Sequence, residues 1–427
     1  MNIIIIFFGK LLSFISKKLN LGNGSTWPGH IALLINPNLI SGILNNSNIT
    51  IIFVTGTNGK TTTSKLIKTI LESNGKSVFL NKSGANLLNG VASSLILEAD
   101  IFGKIKKDFA VFEIDENSLT GVSSKVKPDY LIALDLFRDQ LDRYGEIDTI
   151  SKSWALVYEK IKHKTKFILN ADDPQIAYLG MKDKTDSVYF GINDFSLKTE
   201  IPQHAADSIL CPKCSQKLAF NPLYFSHLGN WSCPNCKLKR PTLEIEKNNV
   251  YPLEGTYNIY NVLAAVLLAK TIGISEKNIN SALENFIPAF GRQEEIIVEN
   301  KKIKFFLAKN PTSFNESLRT IKALGAKQLL IVLNDRIPDG RDVSWIWDVD
   351  FEIFVNSKIK IFTAGDRAWD ITLRLKYAKL QSGIFENLNE AVTESLKSVS
   401  EGDTLFVLPT YSAMLDTRKI LTGKKIL

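Results

Sequence analysis

IIFVTGTNGKTTTSK, residues 51–65, is the stretch on which the fold turns. Ile51–Val54 is an unbroken β-branched and aromatic run, the pattern of a buried strand. A turn containing Gly56 and Gly59 follows. Leu66, Ile67, Ile70 and Leu71 then recur at helical spacing until Asn74-Gly75 closes the helix. Strand, glycine turn and helix in that order make a phosphate loop. The glycines let backbone N–H groups turn inward, and the helix N-terminus adds positive potential. Lys60 is then placed to contact β- and γ-phosphates and Thr61 to ligate Mg²⁺, with Gly56, Thr57, Asn58, Gly59 and Thr62 completing an ATP-binding loop. The bland alternative is a strand–helix turn that binds nothing; the lysine and hydroxyls, in the context the motif requires, argue against it.

Outward from the loop, Ser77–Leu80 returns as a strand, so the unit is a parallel α/β one. Further apolar strands are predicted at Phe109–Ile114, Tyr130–Leu134 and Lys166–Leu169. The stretch 201–241 breaks the alternation and holds all four cysteines. A helix is predicted over Asn258–Ile272, then a second α/β stretch with strands at Gln328–Leu333, Ile359–Thr363 and Thr404–Leu408. The charged segment Glu294–Lys304 is taken as the boundary. The expected division is an N-terminal segment 1–48, an ATP-binding domain 49–295 with an insertion at 201–241, and a smaller C-terminal α/β domain 296–427.

A length of 427 residues fits two to four domains, and 44% hydrophobic with 22% charged residues is ordinary for a soluble protein. The net charge of +8 favours anionic partners without choosing among nucleotides, lipid headgroups and nucleic acid. The apolar run Ile3–Phe8 is too short to span a bilayer, which takes about 20 apolar residues. No small-residue cleavage site follows it, so a cytoplasmic chain is expected. Leu11, Leu12, Phe14, Ile15 and Leu19 suit one face of a helix packed on the body of the protein, with a membrane-surface helix as the alternative. GNGSTWPGH, residues 22–30, reads as a loop.

Only two residues separate Gly56 from Gly59, and TGTNGKTT resembles the loop of the Mur ligases and folylpolyglutamate synthases. Further matches follow in chain order. Phe112-Glu113-Ile114 resembles the strand end whose Glu helps hold Mg²⁺, Asp139–Arg143 (DQLDR) the family's DHLDR, and Asn170–Pro174 its NADDP turn. Tyr257–Asn261 resembles the HNxxN helix start, which implies Asn258 and Asn261 near adenine. Gly291-Arg292 resembles the pair whose Arg approaches the γ-phosphate. The resemblance implies a Mur-ligase-type ATP-binding domain that makes an acyl phosphate for an amine to attack, with Lys60, Thr61, Glu113 and Arg292 as the protein's share of the charge handling. There are departures. Gln140 and Tyr257 stand where the family has histidines, and FLAKNP (Phe306–Pro311) stands for DYAHNP. Lys152 and Trp154 fit the position of the family's carbamylated lysine about equally, so that site is left unassigned.

Cys211, Cys214, Cys233 and Cys236 form C-x₂-C-x₁₈-C-x₂-C, a zinc-ribbon spacing with no open ligand position, hence a structural Zn²⁺. That insertion, DGRDVSWIWDVDFE (Asp339–Glu352), Asn86 in SGANLLNG, FRDQLDRYGE (Phe137–Glu146) and LPTYSAML from Leu408 resemble the Mur-type ligase subunits of lipid II isoglutaminyl synthases. This narrower resemblance implies amidation of the D-glutamate α-carboxyl of lipid II, met at the inner membrane face, and a partner glutaminase of GatD type supplying ammonia. It also implies that an Asp of the SWIWD region reaches the partner's active site. The candidates are Asp342, Asp348 and Asp350, and Asp348 is chosen because it follows Trp345 and Trp347, which could bury on the subunit contact. A stand-alone amino-acid-adding ligase is the alternative within the enzymes. A zinc-ribbon nucleic-acid-binding protein is the alternative outside them; between the cysteine pairs Lys217 is the only lysine and there is no arginine, so no nucleic acid is expected.

Overall fold

The computed structural model of the chain describes residues 2–18, 26–81, 85–139, 147–182, 185–199 and 206–423. Helices α1 (Asn2–Lys18), α2 (Trp27–Ile35) and α3 (Leu39–Asn45) lead into a six-stranded sheet. Its strands are β1 (Thr50–Thr55), β2 (Val78–Leu80), β3 (Phe109–Glu113), β4 (Tyr130–Ala133), β5 (Lys166–Asn170) and β6 (Ser187–Phe190). All run parallel, in the order β2-β3-β1-β4-β5-β6. Helices cover both faces, which is why the strands read as continuous apolar runs. On one face lie α4 (Lys60–Ser73) and the helices Thr256–Thr271 and Glu276–Glu284. On the other lie α5 (Leu88–Glu98) and the helices Ile147–Ile161 and Pro174–Lys182, with α1 to α3 stacked outside α5. The strand order reverses at β1, so the loop leaving β1 opens at a topological switch point, where open parallel sheets bind ligands.

A short antiparallel pair, β7 (Ala219–Phe225) and β8 (Leu228–Ser232), carries the cysteine segment. A second six-stranded sheet follows: β9 (Arg292–Val298), β10 (Lys301–Phe306), β11 (Gln328–Val332), β12 (Lys360–Ala364), β13 (Ser382–Ile384) and β14 (Thr404–Pro409), in the order β13-β12-β11-β14-β10-β9. Only β9 is antiparallel to its neighbour. The helices Pro311–Ala323 and Ala368–Tyr377 cover one face, and Leu388–Lys397 and Tyr411–Thr422 the other.

Three expectations from sequence change. The charged stretch Glu294–Lys304 is not a separator but most of the β9–β10 hairpin: Glu295 bridges Lys302 at 3.3 Å and Lys304 at 3.2 Å on one side, while Ile296 and Val298 pack inward. Trp27–His30, read as loop, opens α2. Pro28 falls in the first turn, where a missing N–H costs nothing, and Gly29 lets α2 press onto α5. A Cβ on Gly29 would lie 2.1 Å from the Asn89 carbonyl oxygen. Finally, α1 does pack on the body, but with Ile5, Ile6 and Gly9 inward, while Leu11, Leu12, Phe14 and Ile15 face out. Leu19 and residues 22–25 lie outside the described residues. Among the described residues no helix is long and apolar enough to cross a membrane.

Candidate active site

The phosphate loop has the backbone its glycines allow. Gly56 has φ +134° and Gly59 φ +84°, and a Cβ on Gly59 would lie 2.1 Å from Asn261 Oδ1. The loop is fastened to the chain leaving β4. Asn58 N–H donates to Asp135 Oδ1 at 2.8 Å, and Phe137 N–H donates to the Thr57 hydroxyl at 3.0 Å. Burial pushes the Asp135 carboxyl up to about 8, against the Asn58 N–H that favours its charge. Lys60 folds back over the loop, donating to the Gly56 carbonyl, to the Thr57 carbonyl at 3.1 Å and to Glu116 Oε2 at 3.0 Å.

Strand register brings in the acid. Val54 at the end of β1 pairs with Glu113 at the end of β3, so Glu113 faces the first turn of α4 and accepts the Thr61 hydroxyl at 2.8 Å. Asn81 on the other side holds the Glu113 backbone through both its N–H and carbonyl. Burial raises the Glu113 carboxyl above its ordinary value. For Glu116 the same burial is outweighed by the charges of Lys60 and Lys309, and its carboxyl is held below the usual range. Thr62 is buried in α4.

The second sheet closes over this loop. Lys309 contacts Asp139, and Asn310 Nδ2 donates to Asn58 Oδ1 at 3.1 Å. Burial alone would lower the Lys309 ammonium, but Asp139 and Glu116 raise it; burial raises the Asp139 carboxyl. FLAKNP thus lacks the family's Asp and His yet sends a cation and an amide into the same place. Arg292, at the start of β9, donates to the Leu307 carbonyl at 3.2 Å and lies close enough for its charge to act on Glu113; burial lowers its guanidinium. The cleft between the two sheets is walled by Phe137, Phe225, Tyr257, Asn258 and Gln293. Asn258 and Asn261 are bonded to each other at 3.0 Å, and Asn261 also accepts the Thr63 hydroxyl, so it braces the loop from beneath. Asn58 Nδ2 and Asp139 Oδ1 are buried with no hydrogen-bond partner among the described residues, as expected of a site shaped for a polar ligand.

Sequence reasoning did not single out Glu116, Asp139 or Lys309 as site residues. A lysine-asparagine-proline ahead of a helix was the available signal for Lys309; nothing local marks Glu116 among its acidic neighbours. Gln140–Arg143, the rest of the DHLDR-like segment, lies outside the described residues, as do Ser83 and Gly84. In the helix after that segment, Trp154 turns inward and its indole donates to the Glu116 carbonyl at 3.0 Å, while Lys152 is exposed.

The four cysteines converge: their Sγ atoms all lie within 4.8 Å of one another, and none is in a disulfide. The two Cys-x-x-Cys turns match, since Ser215 and Lys237, each following a second cysteine, both have φ +60°. Such a donor set could hold a tetrahedral metal ion. The segment is pinned to the NADDP turn. Trp231 Nε1 donates to the Ala171 carbonyl at 2.9 Å, and Arg240 pairs with Asp172 at 2.8 Å.

The family model of the Mur ligase middle domain matches residues 54–269, and that of the MurT ligase C-terminal region matches 307–414. Subunit MurT of the glutamine-hydrolysing lipid II isoglutaminyl synthase from Streptococcus pneumoniae is 32% identical over 98% of this chain and 96% of its own length. The chain belongs to the MurT family. The MurT subunit of Staphylococcus aureus is 33% identical over 92% of this chain and 91% of that one. Among solved structures, a pseudomurein peptide ligase type C from Methanothermus fervidus superimposes with a TM-score of 0.65 at 23% identity, covering 88% of this chain and 78% of that one. MurF ligase from Thermotoga maritima, in complex with ADP, gives 0.64 at 14% identity over 91% and 83%. These two share the Mur-ligase fold, and this MurT-family chain is a Mur-type ligase.

The MurT C-terminal region also holds the SWIWD segment, a short 3₁₀ turn at Ser344–Asp348. Trp345 tilts against Phe314 at 5.3 Å and is partly buried against the core. Trp347 does face out, 48% exposed, edge-on to Tyr377 at 5.3 Å. The Asp348 carboxylate is half-exposed and 3.8 Å from the Arg138 guanidinium. Asp342 accepts the Ser344 N–H at 2.8 Å, and the Asp350 N–H donates to Asn315 Oδ1 at 2.7 Å.

Proposed function

We propose that this chain amidates the α-carboxyl of D-glutamate in the lipid II stem peptide, giving D-isoglutamine, with ammonia from a partner glutaminase of GatD type. The observation that carries the reading is the closure of the second sheet over the phosphate loop, which brings Arg292 towards Glu113 and Lys309 beside the Glu116 that Lys60 holds. The substrate carboxylate attacks the γ-phosphorus of ATP and ADP leaves; ammonia then attacks the acyl carbon and inorganic phosphate leaves. Lys60 exchanges its loop carbonyls for the phosphate oxygens and stabilises the charge that gathers there, and Arg292 approaches from the opposite sheet. Gly56, Thr57, Asn58, Gly59, Thr62, Asn258 and Asn261 shape the nucleotide site.

Thr61 and Glu113 suit Mg²⁺: a hydroxyl and a buried carboxylate 2.8 Å apart are the hard oxygen ligands that ion takes. Bound there, it would neutralise phosphate charge. Closing the cleft keeps water from the acyl phosphate, which would otherwise hydrolyse. The test is mass spectrometry of lipid II incubated with purified chain, ATP and an ammonium salt. An acid-to-amide replacement at D-glutamate is expected; attachment of an amino acid, or no ATP-dependent product, would overturn the reading.

The four thiolates fit a structural Zn²⁺ in a ribbon, because their convergence leaves no position open for substrate. The ribbon's hairpin sends Phe225 to the cleft wall, so the metal supports the ATP site through the fold alone. One zinc per chain should be found by metal analysis after native purification. Cys233→Ser should lower the melting temperature by several degrees, since about 1 kcal/mol corresponds to roughly 2–4 °C in a unit of 150–250 residues. A zinc-free protein of unchanged stability would exclude the ribbon assignment.

A further inference from the structure

Helix α1 is clothed in apolar residues on the side away from the protein. Ile4, Phe7, Phe8, Leu11, Phe14 and Ile15 face out, with Ile4 61% and Phe14 64% exposed, while Ile5, Ile6 and Gly9 pack inward. A surface helix of a globular protein turns charged residues to water. From Ile3 to Ile15 the one charged residue is Lys10, and its ammonium is spent on the Ala99 carbonyl at 2.5 Å. Neighbouring elements extend the surface. Leu34 near the end of α2 is 72% exposed. Phe102 is held outward by a turn in which Asp100 accepts the N–H groups of Phe102 and Lys104. That turn abuts α1, since a Cβ on Gly103 would lie 3.2 Å from Ile6. Single exposed apolar residues are ordinary; a contiguous set of this kind marks an interaction surface.

Charge says what it meets. The first acidic residue of the chain is Glu72, and α1 itself carries Lys10, Lys17 and Lys18, the last two in its last turn. Helices α1 to α3 therefore carry no carboxylate that an anionic surface would repel. Among the described side chains, the exposed apolar stripe of α1 offers no hydrogen-bonding group, whereas the hot spots of protein contacts favour Trp, Tyr and Arg. Hydrocarbon asks for no such partner. At 17 residues α1 is about 25 Å long, short of the roughly 30 Å a spanning helix must cross, and its inner face is already committed to the protein.

We propose that α1 lies in the plane of a bilayer containing anionic lipid, its Ile4–Leu11 stripe at the acyl boundary and the body of the protein on the water side. The body supplies the polar face that an isolated interfacial helix would have to carry itself. A lipid-linked substrate would be met on this side, but the argument stands without it.

The test is flotation of the full chain with vesicles of phosphatidylcholine plus phosphatidylglycerol, and with phosphatidylcholine alone, in the absence of ATP and lipid II. Binding is expected, stronger with phosphatidylglycerol and weakened by salt. The triple variant Phe7→Ser/Leu11→Ser/Phe14→Ser should bind about 100-fold more weakly or worse, as expected from the apolar surface it removes, with nucleotide binding unchanged. Should that variant misfold, Leu34→Ser/Phe102→Ser on separate elements is expected to weaken flotation at least about tenfold. No flotation of the wild type, or flotation that neither variant weakens, overturns the proposal. So does a wild-type dimer that the triple variant converts to monomer while lipid binding persists. Because no turnover is measured, failure here is distinct from failure of the amidation reading.

Discussion

Lys60→Ala is expected to cut ATP-dependent amidation by at least about 10²–10³-fold, whether glutamine or ammonium is the nitrogen source, while the protein stays folded. Removing one group that stabilises developing charge in a closed site costs about that much. Lys60 is suited to the role because its ammonium already sits over the loop, bonded to carbonyls that phosphate oxygens can replace. The fold should tolerate the change. The lysine's other partner, Glu116, keeps Lys309 as a second cation acting on it, so the carboxylate is not left without compensation. Steady-state turnover with ammonium, read beside a thermal melt, decides the matter. Wild-type turnover in a variant that melts normally would remove Lys60 from the chemistry.

Asp348→Asn is expected to separate the two nitrogen sources. Glutamine-driven amidation should fall by about 10³–10⁴-fold, and ammonium-driven amidation should stay near wild type. A cysteine–histidine glutaminase needs a third group to orient its imidazole and to stabilise the imidazolium, and replacing such a carboxylate by its amide costs about 10⁴ in a related triad. Of the three candidates Asp348 is the one proposed. Its turn is anchored by Trp345 on Phe314 and by Trp347 between Tyr377 and Arg374, while its own carboxylate is half-exposed and 3.8 Å from the Arg138 guanidinium. Asp342 is spent on a backbone N–H, and Asp342→Asn serves as the control that should leave both reactions intact. Equal loss with both donors would place Asp348 in the ligase chemistry through Arg138. No loss with either would make it a bystander.

What could be read along the chain was local chemistry. The strand–loop–helix at residues 50–73 is written in hydrophobic period and glycine placement, and both act within a few residues. The paired cysteine turns are legible for the same reason, because each is one turn long. The β9–β10 hairpin was hidden by charges on its exposed side, and α2 by a proline and a glycine whose meaning depends on the helix beneath them.

Which acids and bases meet is another kind of fact. Lys60 finds Glu116 across 56 residues because β1 and β3 are neighbours in the sheet, and Lys309 finds Asp139 across 170 because the second sheet closes on the first. An ion pair depends on a few ångströms of separation, which no spacing rule along the chain carries. The outer face of α1 teaches the same lesson. Its residues are apolar nearly all round, so their period could not say which stripe would be buried. Packing of Ile6 and Gly9 against α5 decided that, and left the Phe7–Phe14 side to face whatever surrounds the protein.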